Sequence, residues 1–324
     1  MSSRRFPFGL PDGWFPVAYS DDLPPGTVLR ARYFARELVI FRTESGRAAV
    51  LDAYCPHLGA HLAVGGRVVG ETIQCPFHGW QYAADGACVG IPYSKQTPKG
   101  VHSRAWPVVE RNGAILVWHD ADGKGPRFEI PTFPEWQAPD WTATYERYHW
   151  HVRTHPQEVM ENAIDWPHFE RVHAMVAPHE RSETFVGPLF EWTIGASKLV
   201  RTLDNARDNF LIHSQNWGLG YAWLRYSGMF KTVVFTGLTP VDHETTEIRF
   251  GIIGKRDGRT DEQTRATLKA YMDDQARAIE QDFAIWENKI YRPDPPLCDG
   301  DGPVRAYRTW AAQFYSGSET PTPA

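Results

Sequence analysis

Cys55-Pro56-His57-Leu58-Gly59-Ala60, followed by Cys75-Pro76-Phe77-His78-Gly79-Trp80, decides how the first part of this chain folds. Seventeen residues separate His57 from Cys75, and each loop sets one thiol and one imidazole beside a proline and a glycine. Two thiolates and two imidazoles suit a single tetrahedral zinc, or the two irons of an iron–sulfur cluster with the cysteines on one and the histidines on the other. Around these loops, from Gly13 to about Asp120, lie short apolar runs such as 37–41 and 114–118. Turn signals at Asp85-Gly86 and Asn112-Gly113 separate them, so an all-β domain over 13–120 is expected.

Working outward, the 324 residues leave room for a second domain, and 42% hydrophobic with 23% charged residues is a globular balance rather than a disordered one. Residues 121–316 form this second domain. After a proline-rich passage over 125–139 they read as a strand over 142–152 and a helix over 158–175. Strands follow at 185–194, 209–215, 224–235 and 247–254, and then one long helix over 261–291 closed by Pro293. The expected class is α+β, with an antiparallel sheet and a few helices. The tail, 317–324, reads as disordered.

The net charge of -5 is spread along the chain, without a basic run to follow a phosphate backbone, so nucleic acid is not an expected partner. No signal peptide and no run of about 18 apolar residues occur, which points to a cytoplasmic chain without a transmembrane segment. Four cysteines in such a chain read as reduced thiols. Cys88 and Cys298, outside the loops, read as small apolar residues.

A second set of ligand types stands in Glu161-Asn162-Ala163-Ile164-Asp165-Trp166-Pro167-His168-Phe169-Glu170-Arg171-Val172-His173. Histidines five apart do not share one face of an ideal helix, so the helix must distort or end between them if both hold one ion. Asp165 stands one turn before His168, where its carboxylate can accept a ring N–H.

Together the two stretches resemble the oxygenase components of Rieske non-haem iron enzymes. Leu51-Asp52-Ala53-Tyr54 before the first loop, Ile91-Pro92-Tyr93, Glu161-Asn162, Glu280-Gln281-Asp282 and Cys298-Asp299-Gly300-Asp301-Gly302-Pro303 are similar to the branch of ketosteroid 9α-hydroxylases and cholesterol 7-desaturases. The resemblance implies a helix-grip catalytic domain behind the Rieske domain. It also implies a 2Fe-2S cluster on Cys55, His57, Cys75 and His78, and a mononuclear Fe(II) on His168, His173 and Asp282. Glu280, Asp273 and Asp274 compete with Asp282 for the third place. Ala60 and Phe77 stand where high-potential relatives carry an extra cysteine pair, and Trp80 replaces a serine that donates to a cluster sulfur, which implies a low potential.

Asn162 is implied to lie near the iron. Asp165 is implied to bridge the iron site to a cluster histidine of the next subunit in a homotrimer. Electrons are implied to come from a separate NAD(P)H-dependent flavin or iron–sulfur reductase or a ferredoxin, since no dinucleotide fingerprint is present. The implied reaction uses O2 to hydroxylate or desaturate a hydrophobic substrate, a steroid or sterol. The alternatives are an aromatic-ring hydroxylase or O-demethylase of the same family, and a non-enzymatic Rieske electron carrier. Trp217, Leu219, Tyr221, Trp223, Phe230 and Phe235 are candidate pocket residues, although a packed sheet core explains them as well.

Overall fold

In the computed structural model, which describes residues 5–316, the chain divides into one unit over 14–129 and a second made of the residues up to 13 with those from 130 onward. The expected tail, 317–324, lies outside the described residues. The first unit extends past the expected boundary at 120 because residues 121–129 fold back onto its strands. Trp118 Nε1 donates to the Lys124 carbonyl at 3.0 Å, and Trp14 Nε1 to that of Phe128 at 2.7 Å.

The first unit is all β, as expected. Its strands are β1 (Gly13–Tyr19), β2 (Val28–Tyr33), β3 (Arg36–Arg42), β4 (Ala48–Asp52), β5 (Arg67–Val69), β6 (Thr72–Gln74), β7 (Gln81–Ala83), β8 (Cys88–Gly90), β9 (Val108–Arg111) and β10 (Ala114–His119). They form sheets ordered β1-β10-β9, β2-β3-β4 and β5-β6-β7-β8. Val39, Phe41, Leu51, Ile73 and Tyr82 alternate into one core that also encloses Cys55 and Cys75. The two loops that carry Cys55-His57 and Cys75-His78 therefore stand on strand ends packed in that core.

The second unit is built on one antiparallel sheet, ordered β11 (Glu146–Val152), β17 (Thr246–Gly254), β16 (Lys231–Pro240), β15 (Tyr221–Ser227), β14 (Ala206–Trp217), β13 (Leu189–Val200) and β12 (Val176–Val186). Two apolar runs each expected to form one strand, 185–194 and 224–235, are instead parts of hairpins. The first turns at Gly187-Pro188 and pairs Phe185 with Phe190, and the second turns over 228–230. A tight turn leaves the apolar pattern nearly unbroken on either side, so the composition hides it.

The helix expected over 158–175 is two short helices, α1 (Pro156–Glu161) and α2 (Trp166–Arg171), joined by a 3-10 turn over Asn162–Ile164. Pro167, in the first turn of α2, lacks the N–H that a continuous helix would use, and Asp165 leaves helical geometry at ψ 82°. Buried His155 caps α1, its Nδ1 accepting from the Gln157 N–H while Nε2 faces the Gly9 carbonyl. Burial holds its pKa down to about 3, so the imidazole is neutral.

The long helix, α3 (Asp261–Trp286), begins in a capping box between Thr260 and Gln263. It stops five residues short of the expected end at Tyr291 because Arg5 Nη1 donates to the Trp286 and Glu287 carbonyls, at 3.1 and 2.7 Å. A further helix, α4 (Val304–Ala311), was not expected. Just before it, a Cβ on Gly302 would stand 1.5 Å from the Ile164 carbonyl oxygen, so only glycine lets this segment lie against the 3-10 turn. Helix α3 lies along β11 and β17, the helix-grip arrangement. Among the described residues no helix is long and apolar enough to cross a membrane.

Candidate metal centres and substrate pocket

The two ligand loops of the first unit are built alike. Gly59 N–H donates to the Cys55 carbonyl and Gly79 N–H to that of Cys75, at 2.9 and 3.1 Å, and both glycines take positive φ, +75° and +72°. Each loop thus turns back over its own thiol. The His57 and His78 rings stand 4.9 Å apart, and both cysteines are buried and free. Among the described residues no three of these four donors gather within 4.8 Å of one another. A single tetrahedral ion would need them about 3.3–3.8 Å apart, so the zinc alternative fits poorly and a two-iron cluster fits the wider spread.

Trp80 donates to no sulfur. Its indole stacks on His57 at 4.3 Å between centroids and its Nε1 donates to Tyr93 Oη at 2.7 Å. The sequence reading overlooked Tyr82, whose hydroxyl lies 3.1 Å from Cys55 Sγ. Burial, with Cys55 next to it, pushes the phenol pKa far up, so the group is protonated and can donate. A donor to a ligand sulfur stabilises the reduced, more negative cluster. Tyr82→Phe is therefore expected to lower the midpoint potential by roughly 50 mV, about 1.2 kcal/mol for one electron. A redox titration followed by electron-spin resonance reads this, and an unchanged potential would remove Tyr82 from the account.

In the second unit, donor atoms of His168, His173 and Asp282 lie within 4.8 Å of one another. Three elements supply them: α2, the residues just after its end, and the buried stripe of α3. The break of the helix after Arg171 lets His173 turn towards His168, with ring centroids 5.0 Å apart. His173 Nδ1 donates to Gln281 Oε1 at 2.9 Å, and its Nε2 stands 3.4 Å from Asp282 Oδ2. His168 Nδ1 donates to the backbone carbonyl of Asp165. Both rings are thereby tied through Nδ1, which leaves Nε2 as the nitrogen each could offer to a metal. Burial pushes the His168 pKa down, which favours the neutral form that binds metal.

Asp282 is buried and its Oδ1 has no hydrogen-bond partner among the described residues. A cation would satisfy this orphaned oxygen, and two imidazoles with one carboxylate are the donor set of non-haem Fe(II). The competing carboxylates of α3 are engaged elsewhere. Asp273 accepts from Tyr148 at 2.6 Å, Asp274 pairs with Lys198 at 2.5 Å, and Glu280 accepts from Trp150 at 3.0 Å.

The expected contact from Asp165 to His168 is made by its carbonyl and not its carboxylate, because the chain turns out of helical geometry at this residue. The carboxylate makes no hydrogen bond among the described residues. Asn162 lies on the 3-10 turn beside the pocket, and its Oδ1 accepts from Trp286 Nε1 at 3.1 Å, tying the turn to α3. Cys88 is half-buried as a small packing residue, whereas Cys298 is exposed.

The pocket lies between the sheet and α3, against the His168, His173 and Asp282 side chains, with Met160, Trp192, Ile212, Leu224, Leu238 and Phe250 among its walls. None of the six candidates named from the sequence lines it. Along β15 and β16 the side chains alternate, so Ala222, Leu224, Thr236 and Leu238 face the pocket while Tyr221, Trp223 and Phe235 face the other way. There they pack against Phe133 and Tyr145. Phe230 packs on Tyr271. Two donors in the pocket wall, Trp192 Nε1 and Thr236 Oγ1, are buried and without a partner among the described residues.

Residues 13–110 match the Rieske [2Fe-2S] domain family, and residues 117–315 match the 3-ketosteroid 9α-hydroxylase C-terminal domain family. The chain is 32% identical to cholesterol 7-desaturase nvd 1 of Ciona intestinalis over 95% of this chain and 69% of that protein. It is also 32% identical to a 3-ketosteroid-9-alpha-monooxygenase oxygenase component of Rhodococcus rhodochrous, over 96% of this chain and 85% of that one. Its fold is similar to dicamba monooxygenase, with a TM-score of 0.76 at 19% identity over 95% and 98% of the two chains. With a Rieske 2Fe-2S centre in its first unit and a mononuclear non-haem iron site in its second, the chain belongs to the Rieske oxygenases, as an oxidoreductase oxygenase component of the ketosteroid 9α-hydroxylase and cholesterol 7-desaturase branch.

Proposed function

We propose that this oxygenase hydroxylates or desaturates a steroid or sterol at an unactivated carbon, with His168, His173 and Asp282 as the iron ligands. The observation that carries the reading is the pair of unpartnered donors, Trp192 on β13 and Thr236 on β16, in a pocket whose walls also carry Met160, Ile212, Leu224, Leu238 and Phe250. Three strand spacings separate them, about 14 Å. An elongated apolar skeleton with an oxygen at each end would satisfy both donors and place a middle carbon beside the ligand triad. The names of the relatives point the same way.

When bound, the mononuclear iron supplies dioxygen activation and the cluster supplies single electrons. The chain's own residues set the conditions. Gln281 and the Asp165 carbonyl fix the two imidazoles, Asn162 anchors α3 through Trp286, and Phe169 and Trp192 form an apolar wall that excludes water. Electrons reach the cluster from a separate NAD(P)H-dependent reductase or ferredoxin. Exposed Leu58, Phe77 and Tyr93 near the cluster loops have the composition of a surface that meets another protein. In a homotrimer the uncommitted Asp165 carboxylate links the iron site to a cluster histidine of the neighbouring copy.

One observation favours a smaller substrate. The pocket volume of about 140 Å³ lies below the roughly 300–1,000 Å³ of pockets that hold a drug-sized ligand. A four-ring substrate must therefore shift side chains or extend into the adjoining cleft of about 460 Å³ beyond His173, lined by Lys198, Arg201 and Arg277. An aromatic hydroxylase or O-demethylase is the second reading. Turnover of sterols, ketosteroids and methoxy-aromatics with a surrogate reductase, read by mass spectrometry, separates the two. Steroid product with coupled NADH use is expected. Efficient demethylation without steroid product would overturn the reading and leave the oxygenase assignment intact.

A further inference from the structure

A second cluster of ligand-type side chains lies on the sheet face turned away from α3. His149-Trp150-His151 sits in the edge strand β11, so the two imidazoles share one face while Trp150 points back to Phe283 of α3. The β11–β17 register sets His151 opposite Glu247 and His149 opposite Arg249. Both Nε2 atoms consequently face the same carboxylate oxygen, Glu247 Oε2, at 3.0 Å from His149 and 3.1 Å from His151. Arg249 takes the other oxygen, Oε1.

We propose that His149, His151 and Glu247 form a further metal site, separate from both iron centres, that takes one divalent transition-metal ion of the zinc type. The donor atoms already lie within 4.8 Å of one another. A tetrahedral zinc with bonds of about 2.0–2.1 Å holds its donors about 3.3 Å apart, so the two imidazoles need to withdraw from Oε2 by only a few tenths of an ångström to admit it. Imidazole nitrogen with one carboxylate suits zinc or copper better than calcium or magnesium, which prefer all-oxygen shells.

Arg249 supports the site rather than replacing the ion. By holding Oε1 it fixes the carboxylate plane and leaves Oε2 turned to the imidazole pair, as partners of ligating carboxylates do. Because the guanidinium already offsets the carboxylate charge, the ion's own charge is best balanced by an anion from solvent as the fourth ligand. His149 and His151 side chains are 48% and 56% exposed while that of Glu247 is 5% exposed, so the site is anchored below and open above. An ion can reach it directly from solvent, whereas His173 and Asp282 of the triad are only 7% and 6% exposed. Its effect would be to tie the edge strand to its neighbour, and β11 also holds α3 through Tyr148 and Trp150.

The iron-loaded enzyme, incubated with micromolar zinc chloride and then desalted, is the material for the test. Elemental analysis is expected to find close to one added zinc per chain with iron content unchanged, and the melting temperature is expected to rise. In a His149→Ala/His151→Ala variant that keeps its Rieske absorption, zinc affinity should fall at least tenfold and the shift in melting temperature should vanish. A His168→Ala variant should take up zinc as the wild type does. Failure of the wild-type enzyme to retain zinc overturns the site whatever the variants do. Equal uptake in the double variant, or uptake lost with His168→Ala, overturns it as well, the latter by placing the zinc in the iron triad.

Discussion

Replacement of His168 by alanine is expected to cut iron affinity at the catalytic centre, and turnover with it, by at least about 100-fold, while the Rieske absorption and electron-spin signal stay as they are. Loss of a partner one shell further out already costs roughly 10–100-fold in metal-site function, so loss of a direct donor sets a larger effect. Only His173 and Asp282 would remain, and a metal held by two protein donors exchanges readily with solvent. The cluster is spared because its loops stand on the strands of residues 14–129, whereas His168 is in the other unit. Iron analysis should fall from three per chain towards two. Loss of both signals together would mean that the two centres are not built independently, and the ligand assignment would fail with it.

Asp165→Asn is expected to keep the iron and lose most of the activity, with cluster oxidation in a single turnover slowed roughly 10–100-fold. The two effects separate because His168 leans on the carbonyl of residue 165, which asparagine also supplies. The substitution removes the negative charge of a carboxylate that makes no hydrogen bond within its own chain among the described residues. A bridge to a cluster histidine in a neighbouring copy would use that charge, since an ionised acceptor makes the stronger hydrogen bond to an imidazole N–H. Stopped-flow absorption of the pre-reduced enzyme with substrate and oxygen measures the rate directly. Normal cluster oxidation in the variant would end the bridging role, and iron loss would make Asp165 a support for His168 instead.

The sequence by itself determined whatever depends on short spacing. The loops Cys55–Ala60 and Cys75–Trp80 carry their donors within a few residues of one another, and so do His168 and His173, so the donor chemistry and the need for a helix break were legible in the chain. Asp282 was reachable through its place in a family-like segment, and the helical stripe of α3 then carries it inward beside Gln275 and Trp286.

Tertiary structure alone decided relations between residues far apart. Tyr82 meets Cys55 because β7 crosses the core behind the first loop, and Gln281 meets His173 because α3 returns over the end of α2. The pocket was misread from sequence because strand composition does not tell which alternate set faces α3. Pairing β15 with β16 puts Ala222 opposite Thr236 and Trp223 opposite Phe235, and the curvature and cover of the sheet then select the first set for the pocket. His149, His151 and Glu247 converge for the same reason, since cross-strand register sums contributions from the whole sheet and no single segment encodes it.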